Sequence, residues 1–201
     1  MSLQSVDSLD GHYARPDPWD YQENPHDQRR KAELFALLPA QPWGRVLDIG
    51  CGDGALIEHL TRVKRADARG IEIDMAEATE AVAAGLPVIH GDADADLAFY
   101  PDGAFDYVVL SRTLQAVERP REVLRQMLRI GRHAIVSFPN FGHWQLRWRL
   151  LLDGRMPDTE TWNRPWYETP NIHPCTIQDF VALANQDGYA VEEWLAAKLG
   201  D

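Results

Sequence analysis

Cysteine is scarce in this sequence. Cys51 and Cys175 are the two present in 201 residues, and they lie far apart. That spacing argues against a disulfide framework and for reduced thiols in a cytoplasmic protein. No His and Cys cluster has zinc-ligand spacing, so no metal is expected. No window holds about 18 uninterrupted apolar residues, which argues against a transmembrane helix. The first residues lack a basic stretch followed by an apolar run, so no secretory signal is expected. Positive charge is also short: 20 Lys and Arg face 31 Asp and Glu, a formal charge of −11. Nucleic acid needs a basic face, and this composition argues against it as the main partner.

What is present suits one α/β domain. Hydrophobic residues make up 45% of the chain, enough for a continuous core. Residues 1–28, rich in Asp, Pro, His and Gln, have no periodicity and are expected to form a poorly ordered arm, with the domain spanning 29–201. Helical spacing runs from Arg29 to Leu38 and stops at Pro39. Then strands and helices alternate. Arg45–Ile49, Ala68–Ile73, Pro87–His90, Phe105–Leu110 and His133–Phe138 are short apolar runs, as strands buried on both faces should be. Between them lie a helix with Leu56, Ile57 and Leu60 on one face, and another over Ala76–Ala84 closed by Gly85. A third runs from Pro120 to Ile130, with Val123, Leu124, Met127 and Leu128 inward and Gly131 at its end. Thr176 is a good N-cap for a last helix through Asn185, and Tyr189–Leu195 is expected to be a sixth strand. Such alternation implies parallel βαβ units in a doubly wound, Rossmann-like sheet.

The chemistry concentrates at Asp48-Ile49-Gly50-Cys51-Gly52-Asp53-Gly54. A strand leads in and a helix leads out. Glycines there let the backbone approach a ligand, at the carboxyl edge where open α/β sheets bind. Glu72 ends the next strand about 20 residues on, where an acid can accept from two ribose hydroxyls. This pattern alone fits NAD as well as S-adenosylmethionine (SAM). Two details favour SAM. The loop is Gly-x-Gly-x-Gly without the longer dinucleotide spacing, and Asp48 suits a positive amino acid end but would repel a pyrophosphate. Cys51 lies in the loop, where the neighbouring Asp53 disfavours a thiolate.

Val46 to Gly54 resembles the signature motif of class I SAM-dependent methyltransferases. The resemblance implies a cofactor site, for SAM or its product S-adenosylhomocysteine (SAH), built on Asp48, Gly50, Cys51, Gly52, Gly54, Glu72 and Ile73. Gly91-Asp92-Ala93-Asp94 resembles the family's adenine-contacting motif: Asp92 would accept from the adenine amino group and the Ala93 backbone would meet the ring. Asp92 as a plain turn residue is the competing reading. Ser111-Arg112 would line the methionine end. The segments Ser111 to Val117, Ser137 to Trp144, Gly154 to Pro157 and Trp166 to His173 are more distinctive. Together they resemble the MetW family of methionine biosynthesis, whose members are associated with homoserine O-acyltransferase (MetX) as partner and activator. Two departures stand out: residues 1–28 have no counterpart, and the chain is expected to lack the seventh, antiparallel strand of the methyltransferase fold.

No nucleophile–base–acid constellation is evident. His143, expected to pack on Trp144, and His173, in a turn setting, are the candidate bases. Residues 141–175 mix Trp144, Trp148, Trp162 and Trp166 with Arg147, Arg149 and Arg155. This is an aromatic insertion that could be a cofactor lid, a docking surface, or a helix burying Leu146, Leu150 and Leu151. Two functions follow. One is a SAM-binding partner of the acyltransferase. The other is a SAM-dependent methyltransferase of an unidentified small molecule.

Overall fold

The computed structural model describes residues 43–156, 166–167 and 169–194. The N-terminal arm, the helix expected over Arg29–Leu38, and Trp162 lie outside the described residues. Five parallel strands form the sheet: β1 (Arg45–Ile49), β2 (Asp67–Glu72), β3 (Val88–His90), β4 (Phe105–Ser111) and β5 (Gly131–Ser137). Their order is β3-β2-β1-β4-β5, the doubly wound arrangement that the alternation of apolar runs and helices implies.

The helices follow from the same residues. α1 (Ala55–Arg62) buries Leu56, Ile57 and Leu60. α2 (Met75–Ala83) is capped by the Asp74 side chain, which accepts from the amides of Ala76 and Glu77. A short α3 (Ala93–Asp96) precedes a single 3-10 turn. α4 (Pro120–Ile130) starts on its proline and buries Val123, Leu124, Met127 and Ile130. α5 spans Trp144–Asp153 and α6 spans Ile177–Gln186. Thr176 and Asp179 form a reciprocal capping box at the start of α6.

The period-2 alternation of β1 divides the core. Val46 faces α1 and α2, in a cluster with Ile57, Leu60 and Ala81. Leu47 and Ile49 face the other way, in a cluster with Val123, Met127 and Ile130 of α4. Asp48 shares the face of Val46, so a carboxylate lies at the end of an otherwise apolar strand surface.

Two expectations are corrected, and a third, Gly131 at the end of α4, holds with a different backbone. Tyr189–Trp194 is not a strand. Glu192 and Glu193 interrupt the apolar run, residues 190–194 are exposed, and the segment meets β5 through a His133 Nδ1–Glu192 Oε2 contact at 3.3 Å. On α4, Leu128 faces partly outward while Gln126 is buried, because Gln126 bonds Glu122 and Arg129 one turn away on either side. Gly131 follows α4 in extended backbone and begins β5 at once, so it ends the helix without the left-handed turn of a usual glycine stop. Gly85 does adopt that turn, with φ of 81°.

Candidate functional site

The loop from β1 to α1 carries three left-handed glycines: Gly50, Gly52 and Gly54 have φ of 67°, 55° and 78°. A side chain would be strained at each. The chain's own packing uses all three vacancies, that of Gly54 being filled by the Leu86 side chain. A Cβ on Gly50 would lie 2.5 Å from Thr113 Oγ1, and one on Gly52 would lie 2.8 Å from Glu77 Oε2. The residues after β4 therefore lean over the first glycine, and α2 presents a carboxylate to the second.

Glu72 anchors this loop. Its Oε2 accepts from the Gly52 amide and its Oε1 from the Asp74 amide, both at 2.8 Å. The glycine loop and the start of α2 are thereby pinned to the end of β2. Glu72 is 6% exposed, and each oxygen retains a further lone pair. Next to it, Ile73 is exposed at the carboxyl edge. Asp53 accepts from the Ala55 amide at 3.0 Å and starts α1.

Asp48 is 2% exposed, and its Oδ1 has no hydrogen-bond partner. Burial first, then the charges of Glu72 and Asp53, push its carboxyl up to about 8. Cys51 is buried, and burial together with Asp48 and Glu72 holds its thiol far above the usual range. The thiolate is thus disfavoured, with burial as the leading cause and Asp48 and Glu72, in place of the expected Asp53, as the main charges.

Asp92 caps α3, its Oδ1 accepting from the Asp94 amide at 2.8 Å. The turn role weighed for it is present. Ala93 opens α3 beside it. Ser111 ends β4 with its Oγ 3.3 Å from that of Ser137 on β5. Arg112 then takes φ of 63°, a strained value for a side chain of its size. The structure thus brings Asp48, Gly50, Cys51, Gly52, Gly54 and Glu72 into one cluster at the carboxyl edge. Ile73, Asp92, Ala93 and Ser111 stand at the ends of neighbouring strands.

The base candidates are accounted for differently. The His143 ring lies 6.0 Å from that of Trp144, the packing expected of it. The His173 amide donates to Gln115 O at 3.0 Å, and its Nε2 donates to Glu118 O at 3.2 Å, so it fastens the 113–118 turn. Gln115, which the sequence does not single out, is fully buried and donates to Pro139 O and Cys175 O. Its sole signal was an amide inside the run Leu114 to Val117. On α5 the reading with three buried leucines is corrected: Leu146 is buried, whereas Leu150 and Leu151 are exposed with Trp144 and Trp148.

What the cluster can do follows from its charge. A buried carboxylate oxygen without a donor, beside two other carboxylates, fits a cation-bearing ligand and disfavours a phosphate. Among the described residues no group of three or more His, Cys, Asp or Glu is arranged to hold a metal, and no helix is long and apolar enough to cross a membrane.

Known proteins agree with this architecture. The family model described as "Methionine biosynthesis protein MetW" matches residues 32–200. The bifunctional methionine biosynthesis protein MetXA/MetW of Rhodopirellula baltica is 36% identical over 179 residues, covering 84% of this chain and 29% of that protein. The chain therefore spans less than a third of that relative. Two solved structures share the fold. A SAM-dependent methyltransferase from Archaeoglobus fulgidus has a TM-score of 0.62 at 18% identity, covering 84% of this chain and 71% of that one. The plantazolicin methyltransferase BpumL, in complex with an analog and SAH, has a TM-score of 0.60 at 19% identity, covering 88% and 72%.

Proposed function

The chain belongs to the MetW family of methionine biosynthesis proteins, and from that premise we propose that it is a SAM-binding partner of homoserine O-acyltransferase, MetX. The partner half of the reading is carried by one observation: in the Rhodopirellula baltica relative, a MetXA portion and a MetW portion are parts of one protein. Two activities joined in one chain are held at high effective concentration, which favours an interface between them.

The ligand half rests on the fit of the site. Asp48 offers a buried acceptor to the ammonium of the methionine moiety. Glu72 has lone pairs left for ribose hydroxyls, and the loop Gly50, Cys51, Gly52 and Gly54 offers its backbone to the ligand, with the Cys51 thiol turned inward against Gly70. Asp92, Ala93 and Ile73 are assigned to the adenine side, and Ser111 to the methionine end. When bound, SAM would supply an electrophilic methyl group. The chain's own residues orient it and exclude water, and no described side chain is in place as a base.

A second reading, methyl transfer to an unidentified small molecule, is favoured by the strained backbone of Arg112 beside Ser111 and Ser137. Strain of this kind collects at active sites. One experiment separates the two. The chain is mixed with the homoserine acyltransferase of the same cell and analysed by sedimentation, beside SAM calorimetry on the chain alone. Co-sedimentation with SAM binding supports the partner. SAM binding without co-sedimentation leaves the methyltransferase.

A further inference from the structure

We propose that Asp48 is the neutral acid in the ligand-free site and gives up its proton when a cation seats in the glycine loop, so that SAM binding and proton release are one event. The inference rests on the SAM assignment and adds a regulation to that site. It starts from geometry. Asp48 is buried at the end of β1 with Oδ1 lacking any donor. An ionised carboxylate there would be buried, unpaired and close to like charge, a costly combination.

The groups around it come from every neighbouring element. Glu72 faces it from β2, and Asp53 acts on it from the loop. Cys51 lies beside them with its proton held, and Glu77 of α2 faces both Cys51 and Gly52. The register partners of Asp48 are Gly70 on β2 and Val109 on β4, neither of which carries charge. Both oxygens of Glu72 already accept amide bonds, whereas Asp48 Oδ1 accepts none, so Asp48 is where the extra proton resides. The carboxyl pushed up to about 8 agrees with this placement.

A cation next to Asp48 supplies the opposite charge that the empty site lacks and favours the carboxylate. The proton on Asp48 passes to buffer, and the ligand's ammonium remains charged. SAM affinity should therefore rise with pH towards about 8, by up to roughly tenfold per pH unit on the rising limb, and fall above it as the ligand's α-amino group loses its own proton.

The test is calorimetry of SAM binding at pH 7 in buffers with different heats of protonation, phosphate and Tris. The expected result is a net release of roughly 0.8 proton per SAM, from about nine-tenths protonation of Asp48 one unit below its midpoint less the roughly one-seventh of a proton that the α-amino group takes up. Asp48→Asn should abolish the release and flatten the pH dependence of Kd. Asp53→Asn, which removes a like charge, should move the rising limb to lower pH and decides the matter if Asp48→Asn fails to fold. Equal heats in both buffers, or full release persisting in Asp48→Asn, would overturn the inference while leaving SAM binding intact. No SAM binding in any buffer would overturn the cofactor assignment and this inference together.

Discussion

Glu72, the proposed ribose acceptor, also closes two backbone amides, those of Gly52 and Asp74. Removing it should therefore be felt without any ligand. Glu72→Ala leaves the Gly52 and Asp74 amides unpaired in a buried setting, at about 1–3 kcal/mol each. Denaturant titration of the ligand-free chain should show a loss of that order, with SAM Kd rising about tenfold or more, since ~1.4 kcal/mol is a factor of ten. A stable variant with weakened SAM binding would mean that the acid serves the ligand alone. Asp48 gives a second outcome at this scale. Its carboxyl is raised from 3.8 to about 8 by folding, so the folded state holds the proton more tightly than the unfolded state. Stability from this source is full below about 4 and is lost as pH rises towards 8. The ligand-free melting temperature should fall over that window, and Asp48→Asn should flatten the fall. The glycines, Asp48 and Glu72 were legible because their spacing along one strand–turn–helix unit is local. Glu77 over Gly52, buried Gln115 and left-handed Arg112 were not, because each arises from contacts between segments distant in sequence.

Elements were legible wherever one face or both were uniformly apolar. β1 and α4 match their expected bounds from end to end, because proline opens the helix and an apolar run fills the strand. The pattern failed where polar residues interrupt it: at Tyr189–Trp194, and at Gln126, whose amide is satisfied by its own helix. α5 is the informative case. A ten-residue helix ordinarily buries a stripe, yet here Leu146 is the buried residue while Trp144, Trp148, Leu151 and Leu152 are exposed. Its two sides predict opposite phenotypes. Leu146→Ala should destabilise the fold by about 2–5 kcal/mol, as large-to-small core changes do. Trp148→Ala, at a residue 57% exposed, should leave stability and SAM affinity unchanged. It should weaken association with the acyltransferase by about 2 kcal/mol, roughly thirtyfold, if the helix is the docking face. Sedimentation of the two variants with the acyltransferase checks both, and unchanged association of Trp148→Ala would place the interface elsewhere.

At the scale of the whole molecule, the proposed cofactor site belongs to no single element. β1 brings Asp48, β2 brings Glu72, α2 brings Glu77, and the turn after β4 brings Thr113 against Gly50. These contacts exist only when β1, β2 and β4 are in register, so a ligand seated there binds the native state and not the unfolded chain. Its binding energy then adds to global stability by mass action. With SAM at about 100 times its Kd, the gain is roughly 2.7 kcal/mol. For a domain of this size, each kcal/mol moves the melting temperature by about 2–4 °C, so a rise of roughly 5–10 °C is expected by thermal shift. The size of that rise should follow the site's charge. It should shrink below pH 7, where Asp48 must lose its proton for the cation to seat, and it should be small in Glu72→Ala. Adenosine, which keeps the ring and ribose but lacks the cationic amino acid end, should give a smaller rise that does not vary with pH between 6 and 8. An adenosine shift as large and as pH-dependent as that of SAM would show that the carboxylates act on the fold and not on the ligand's charge.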